Sequence, residues 1–181
     1  MKKIMLCIFL LFCLMSNSFS QEVIIQNTKY NRSIIKPGTS IKFIDYNLPE
    51  FDVAYYDATA NIRKVISGNE VKYFCQIYKD ADSYKIFGTI CEEDLLEVIK
   101  ALQNLQNEAP SDLAQKPDYI ENYFDTKEGF SLGYLIRGET ISWYTVLDKY
   151  STKDSYLYFE NVETLVSLFN NAKNKIDSLK K

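Results

Sequence analysis

The sequence predicts an α+β protein: two tandem repeats, each a β-meander followed by a helix, forming one antiparallel sheet with both helices packed on one face. Three observations predict it. A hydrophobic pattern recurs at a fixed offset, a glycine-led two-residue turn sits at the centre of each copy, and an amphipathic helical stripe follows each.

The recurring pattern runs Lys64-Val65-Ile66-Ser67-Gly68-Asn69-Glu70-Val71-Lys72-Tyr73-Phe74 and again Tyr134-Leu135-Ile136-Arg137-Gly138-Glu139-Thr140-Ile141-Ser142-Trp143-Tyr144, seventy residues on with no gap. Gly68-Asn69 and Gly138-Glu139 each separate two alternating runs, and glycine first in a two-residue loop predicts a type II′ hairpin turn. Ser67 then faces Glu70, Val65 faces Lys72 and Arg63 faces Phe74. Side chains alternate along a strand, so Ile62, Ile66, Val71, Tyr73, Cys75 and Ile77 share one face. Leu132, Tyr134, Ile136, Ile141, Trp143, Thr145 and Leu147 share the matching face of the second hairpin. These are the expected core faces, with Lys64 a misfit opposite Tyr73.

A third strand follows each hairpin, from Asp82-Ser83-Tyr84 to Ile90 and from Asp154-Ser155-Tyr156 to Glu160. The first helix is predicted from Glu92, with Leu95, Ile99, Leu102 and Leu105 as its stripe and Pro110 as its end. Glu92, Glu93 and Asp94 in its first turn suit the positive end of the helix dipole. The second helix carries Val162, Leu165, Val166, Phe169, Ala172, Ile176 and Leu179 on one face, with Asn161 as N-cap. Tyr55-Tyr56-Asp57 resembles Tyr123-Phe124-Asp125 before the hairpins. The predicted organisation is an N-terminal extension over 21–54, repeat one over 55–108, a linker over 109–118 and repeat two over 119–181. The extension, with strand signals at Ile34-Ile35 and Ile41–Ile44, is expected to edge or cover the sheet.

The first twenty residues read as a cleaved secretory signal: Lys2 and Lys3, an apolar run from Ile4 to Met15, then small residues up to Ser20. The apolar run of twelve is short of the ~20 residues that a helix needs to span a bilayer. The expected mature chain of 161 residues is exported, either periplasmic or released, and does not span the membrane. It carries a net charge of −5 without a basic cluster, which argues against nucleic acid as a partner. There is no histidine, which removes the commonest metal ligand and the commonest general base near neutral pH.

The hairpin face opposite the helices presents Arg63, Val65, Lys72, Phe74, Gln76 and Tyr78, then Leu135, Arg137, Ser142, Tyr144, Val146 and Asp148. Rings interleaved with charged groups suit a binding surface, and Arg63, Phe74, Tyr78, Arg137 and Tyr144 are its candidate residues. The same face also suits a solvated sheet with cross-strand aromatic pairs and no partner. Catalytic signals are sparse: no nucleophile elbow, phosphate loop or Cys-His pair is present. Asp80 and Asp82, or Glu92, Glu93 and Asp94, could supply a carboxylate acid-base pair, but turn and helix-start positions account for them. Asp80-Ala81-Asp82-Ser83 lacks the glycine and distal glutamate of a calcium loop, so no metal and no cofactor is expected. Cys75 and Cys91 are a possible disulfide in an oxidising compartment, or two separate buried thiols.

In arrangement alone, two such units side by side resemble exported inhibitors of the β-lactamase-inhibitor kind, whose concave sheet grips a partner's loop. That resemblance implies a binding role and no particular motif. The expectation is a non-enzymatic binding or interaction module whose partner is a protein or a glycan. A carboxylate-dependent hydrolase or a carbohydrate-binding protein is the alternative.

Overall fold

A computed structural model describes residues 38–81, 84–151 and 154–181. The expected signal over 1–20 and the strand expected at Ile34-Ile35 lie outside these residues. Among the described residues, eight strands and two helices follow in chain order: β1 (Ile41–Asn47), β2 (Asp57–Ser67), β3 (Glu70–Ala81), β4 (Tyr84–Cys91), α1 (Glu92–Ala114), β5 (Ile120–Asp125), β6 (Ser131–Arg137), β7 (Thr140–Val146), β8 (Tyr156–Phe159) and α2 (Val162–Leu179). The class is α+β. The strands form two separate four-stranded antiparallel meanders, β1-β2-β3-β4 and β5-β6-β7-β8, where one continuous sheet was expected.

Both hairpins keep the register set by their turns. Ser67 pairs with Glu70, Val65 with Lys72 and Arg63 with Phe74; Arg137 pairs with Thr140 and Leu135 with Ser142. Gly68 and Gly138 have φ of 59° and 61° while Asn69 and Glu139 stay out of the left-handed region, as a type II′ turn requires. Ile62, Cys75, Ile77, Leu132, Tyr134, Ile136 and Leu147 are buried in one core that both halves share with both helices. Nearer the turns the pattern weakens: Val71 is exposed and Ile66 and Ile141 are half-buried. Lys64 resolves its misfit by reaching outward, its Nζ 5.8 Å from the Tyr73 ring centre.

The helices tie the two sheets together. α1 lies against β3 and β4 of its own half and against β5 and β6 of the other, while α2 touches β2, β8 and α1. Asn161 caps α2 by accepting the Thr164 N–H at 3.0 Å. Pro110, expected to end α1, lies inside it, so residues 109–114 are helix rather than linker. Its missing N–H costs the helix a hydrogen bond. Tertiary contacts hold the last turn regardless: Ala109 is buried, Leu113 packs on the core, and Asp112 accepts the Tyr134 hydroxyl at 2.6 Å. Within the described part of 21–54, Ile41–Asn47 is an edge strand paired along its whole length with β2. By position β1 is the counterpart of β5; Tyr55 and Tyr56 precede β2 and so do not match Tyr123 and Phe124.

Alternation also decides the cysteines. Cys75 pairs with Ile90 and faces the helices, whereas Cys91 pairs with Phe74 and faces the other side of the sheet. Both are free thiols in this structure. Cys91 instead caps α1, its Sγ accepting the Asp94 N–H at 3.4 Å.

Candidate functional site

The five candidate residues divide between the two sheets. On the first, Arg63 is held by Asp45 through two 2.7 Å hydrogen bonds and lies 5.5 Å from the Phe43 ring centre. Phe74 is only 5 % exposed and packs with Val65, Ile41 and Cys91. Tyr78 is half-buried and donates to Gln76, which itself is buried and reaches Thr89. That face is largely filled by its own side chains. The single open aromatic face expected across both hairpins is therefore absent: Phe74 and Tyr144 are buried, and separate sheets carry them.

On the second sheet, the face away from the core is built in rungs that the register fixes. Asp125, Ser131, Val146 and Tyr156 form one; Tyr123, Gly133, Tyr144 and Tyr158 the next; Glu121, Leu135 and Ser142 a third. Gly133 lets β5 approach closely on this face. A Cβ there would lie 2.4 Å from the Asn122 carbonyl oxygen and 2.6 Å from the Tyr123 Cβ, so no larger residue fits. The Tyr144 hydroxyl reaches two strands away to donate to Glu121 at 2.6 Å. Tyr119 donates to the other Glu121 oxygen at 2.7 Å, and Arg137 lies 5.8 Å from the Tyr119 ring centre. Tyr156 and Tyr158 flank Tyr144 with ring centres 5.6 and 6.4 Å away, their own planes within 15° of each other. Tyr144 is 2 % exposed because these rings and Glu121 enclose it, while Tyr123 is 55 % exposed at the edge.

Beside this cluster opens a groove of about 440 Å³, lined in part by Glu121, Tyr123, Tyr144, Tyr156, Asp148 and Ser155. That volume lies within the range of small-molecule sites, roughly 300–1,000 Å³. Four carboxylates border it: Glu121, Asp125, Asp148 and Asp154. Burial raises the Asp125 carboxyl, but hydrogen bonds from Ser131 and Lys149 outweigh it and hold it below its ordinary value. Asp154 behaves alike, with Lys79, the Tyr156 N–H and Tyr56 outweighing desolvation. Asp148 accepts the Tyr150 N–H at 2.8 Å. Desolvation, with the Glu121 hydrogen bond, pushes the Tyr144 phenol up, so it stays protonated at neutral pH.

The carboxylates considered from sequence do not gather there. Asp80 pairs with Lys85 and Glu92 with Lys180, both at the surface, and Asp82 lies outside the described residues. Glu121, Tyr119, Tyr123, Tyr156 and Tyr158 were not singled out in the sequence. Their spacing carries the signal: Tyr119-x-Glu121-x-Tyr123-x-Asp125 and Tyr156-x-Tyr158 each put alternate residues on one face. Among the described residues no group of three His, Cys, Asp or Glu could hold a metal ion, and no helix is long and apolar enough to cross a membrane. Comparison of the chain with protein-family models, with curated proteins and with solved structures finds no match.

Proposed function

We propose that this is an exported, non-enzymatic binding module whose ligand surface is the outer face of the second sheet. The observation that carries the reading is the groove against the Tyr119–Glu121–Tyr144 network, edged by exposed tyrosine rings. Rings of this kind offer large apolar area at little entropic cost, with a hydroxyl to orient a ligand. The equivalent tandem halves supply the scaffold: strand order, turn glycine and trailing helix agree between them, which supports descent from one duplicated unit.

One observation favours the rival, a carboxylate-dependent hydrolase. Asp125 at the end of β5 and Asp148 and Asp154 from the β7–β8 connection border one groove. General acid work, however, needs a carboxyl held protonated near neutral pH. Asp125 and Asp154 are shifted the opposite way, and each carries a lysine partner. Binding accounts for the site with fewer assumptions.

The test is paired capture. Wild type and a Tyr123→Ser/Tyr156→Ser variant are immobilised and exposed to cell-envelope and medium fractions of the producing organism and to a glycan array. A ligand kept by the wild type and lost by the variant is expected. Equal retention by both would remove the groove as the binding surface.

A further inference from the structure

We infer that one corner of the first sheet docks on the headgroup layer of an anionic lipid bilayer. The corner lies at the turn end of β1, β2 and β3, on the helix side, and is separate from the groove of the second sheet.

Register builds it. On this face Lys42, Ile66 and Val71 form the rung nearest the turn, and Ile44, Lys64 and Tyr73 form the next. Lys42 and Lys64 are therefore diagonal neighbours, roughly 7–8 Å apart at the backbone. α2 adds two more ammoniums. Lys180 Nζ lies 5.8 Å from the Tyr73 ring centre, as does that of Lys64, and Lys175 Nζ lies 5.2 Å from the Tyr46 ring centre. Three elements thus gather four lysines that no single run of the sequence displays, in a chain that is net negative.

The charge is not balanced locally. Among the described residues Lys42, Lys64 and Lys175 enter no ion pair, while Lys180 pairs with Glu92 and the nearby Asp177 is taken by Lys173. Glu70, at the turn, faces the other side of the sheet, and Glu93 and Asp94 gather at Cys91 on that same side. Apolar surface sits among the cations: Val71 is 46 % exposed, and Ile44 and Ile66 are half-buried. In the second sheet the matching corner is closed by α1, where Asp112 accepts the Tyr134 hydroxyl and Leu113 packs on the core. Lys64 stands seventy residues before Tyr134, so a cation occupies the position that α1 ties down in the other half.

The kind of cation selects the partner. Fixed protein interfaces favour arginine, whose planar fork reads carboxylates, and are depleted in lysine. Here all four are lysines. Compact ammoniums on flexible stems around exposed aliphatic groups suit mobile phosphates above hydrocarbon, where the stems bury their methylenes and the heads stay among the headgroups.

Vesicle sedimentation tests this, with the processed protein and vesicles of equal parts phosphatidylglycerol and phosphatidylcholine, or of phosphatidylcholine alone. Saturable binding to the anionic vesicles only is expected. It should be lost as salt rises from about 0.1 M to about 1 M, over which the Debye length falls from about 10 Å to about 3 Å. Lys42 is exposed, so Lys42→Gln tests the corner without disturbing the core; it is expected to weaken binding about fivefold, the worth of one cation beside an anionic bilayer. Lys64→Gln should weaken it by about as much again, and Val71→Ser severalfold through lost apolar contact. Lys100→Gln, on the exposed side of α1, should leave it unchanged. Equal binding to both vesicles, binding that Lys42→Gln and Lys64→Gln leave intact, or no binding at all overturns the inference. Capture of polyglutamate in place of vesicles, with the same lysine dependence, overturns the bilayer and assigns the corner to an acidic chain.

Discussion

Lys79→Met is the substitution that most directly probes how the two halves are held together. Lys79 sits on β3 two residues beyond Ile77, on the core side, and its side chain is 0 % exposed. Its Nζ donates to the Asp154 carbonyl at 3.0 Å, to the Asp154 carboxylate at 3.0 Å and to the Tyr156 carbonyl at 2.9 Å. The Tyr56 ring centre lies 3.7 Å away. One ammonium from the first sheet thus satisfies the entry to β8 in the second. Breaking a buried ion pair from one side costs ~3–5 kcal/mol, because the remaining groups stay desolvated. Here the Asp154 side chain is 50 % exposed and can rehydrate, while methionine fills most of the lysine volume. The expected loss is therefore lower, about 2–4 kcal/mol, from two carbonyls deprived of a charged donor.

The assay is urea unfolding followed through Trp143, the chain's only tryptophan and a core residue. For a chain of this size each kcal/mol moves the thermal midpoint by about 2–4 °C, so a 3 kcal/mol loss lowers it by about 6–12 °C. Asp154→Asn, which leaves the lysine its two carbonyls, is expected to cost roughly half as much, and the double variant less than the sum of the singles. A Lys79→Met protein within about 0.5 kcal/mol of the wild type, the scatter of neutral surface changes, would refute the latch.

Three further outcomes follow. Asp125 and Asp154 have folded values below their unfolded ones, so the unfolded chain binds more protons in that window and stability rises with pH there. Their contribution is complete above the unfolded carboxylate value of ~3.9 and fades as pH falls through the lower folded values; acid titration of Asp125→Asn and Asp154→Asn should each flatten this limb. Burial pushes the Cys75 and Cys91 thiols up to about 12, so both should resist thiol reagents in native protein at pH 8 and react in urea, with no Cys75–Cys91 bridge by non-reducing mass spectrometry. Gly133→Ala should cost about 1–3 kcal/mol or more, the range for forced overpacking, measured in the same unfolding assay; a neutral result would mean that β5 and β6 lie farther apart than described.

Local chemistry was legible where one signal governed one element. The turn glycines set both hairpin registers, and the Asn161 cap and its apolar stripe set α2. What escaped depended on where elements pack. Pro110 signals a helix end, yet Ala109, Asp112 and Leu113 gain enough from the core and from Tyr134 to carry the helix on. The outward alternation of Val65, Phe74 and Gln76 suggests an open face, and their burial depends on cross-strand packing that alternation does not encode. The division into two sheets hinges on whether edge strands pair, and nothing in either edge strand's sequence states that. The groove was half legible: Tyr144 and Arg137 stood out by type, but Glu121 became central only once β6 set β5 and β7 two strands apart.

The two halves can be compared rung by rung, and one rung separates their outer faces. Asp45, Arg63, Phe74 and Cys91 cross the first sheet in register where Tyr123, Gly133, Tyr144 and Tyr158 cross the second; Arg63 and Phe74 stand seventy residues before Gly133 and Tyr144. In the first half the guanidinium of Arg63 occupies the middle of that rung, tied to Asp45 and lying over Phe43. Glycine in the second half lets β5 close in, with the Asn122 carbonyl and Tyr123 standing where a Cβ would be, and the Tyr144 phenol spans β6 to Glu121. The first sheet thus carries its own cation against its own carboxylate and ring. The second has no cationic side chain on that rung, and Tyr144 gives its hydroxyl to Glu121 instead.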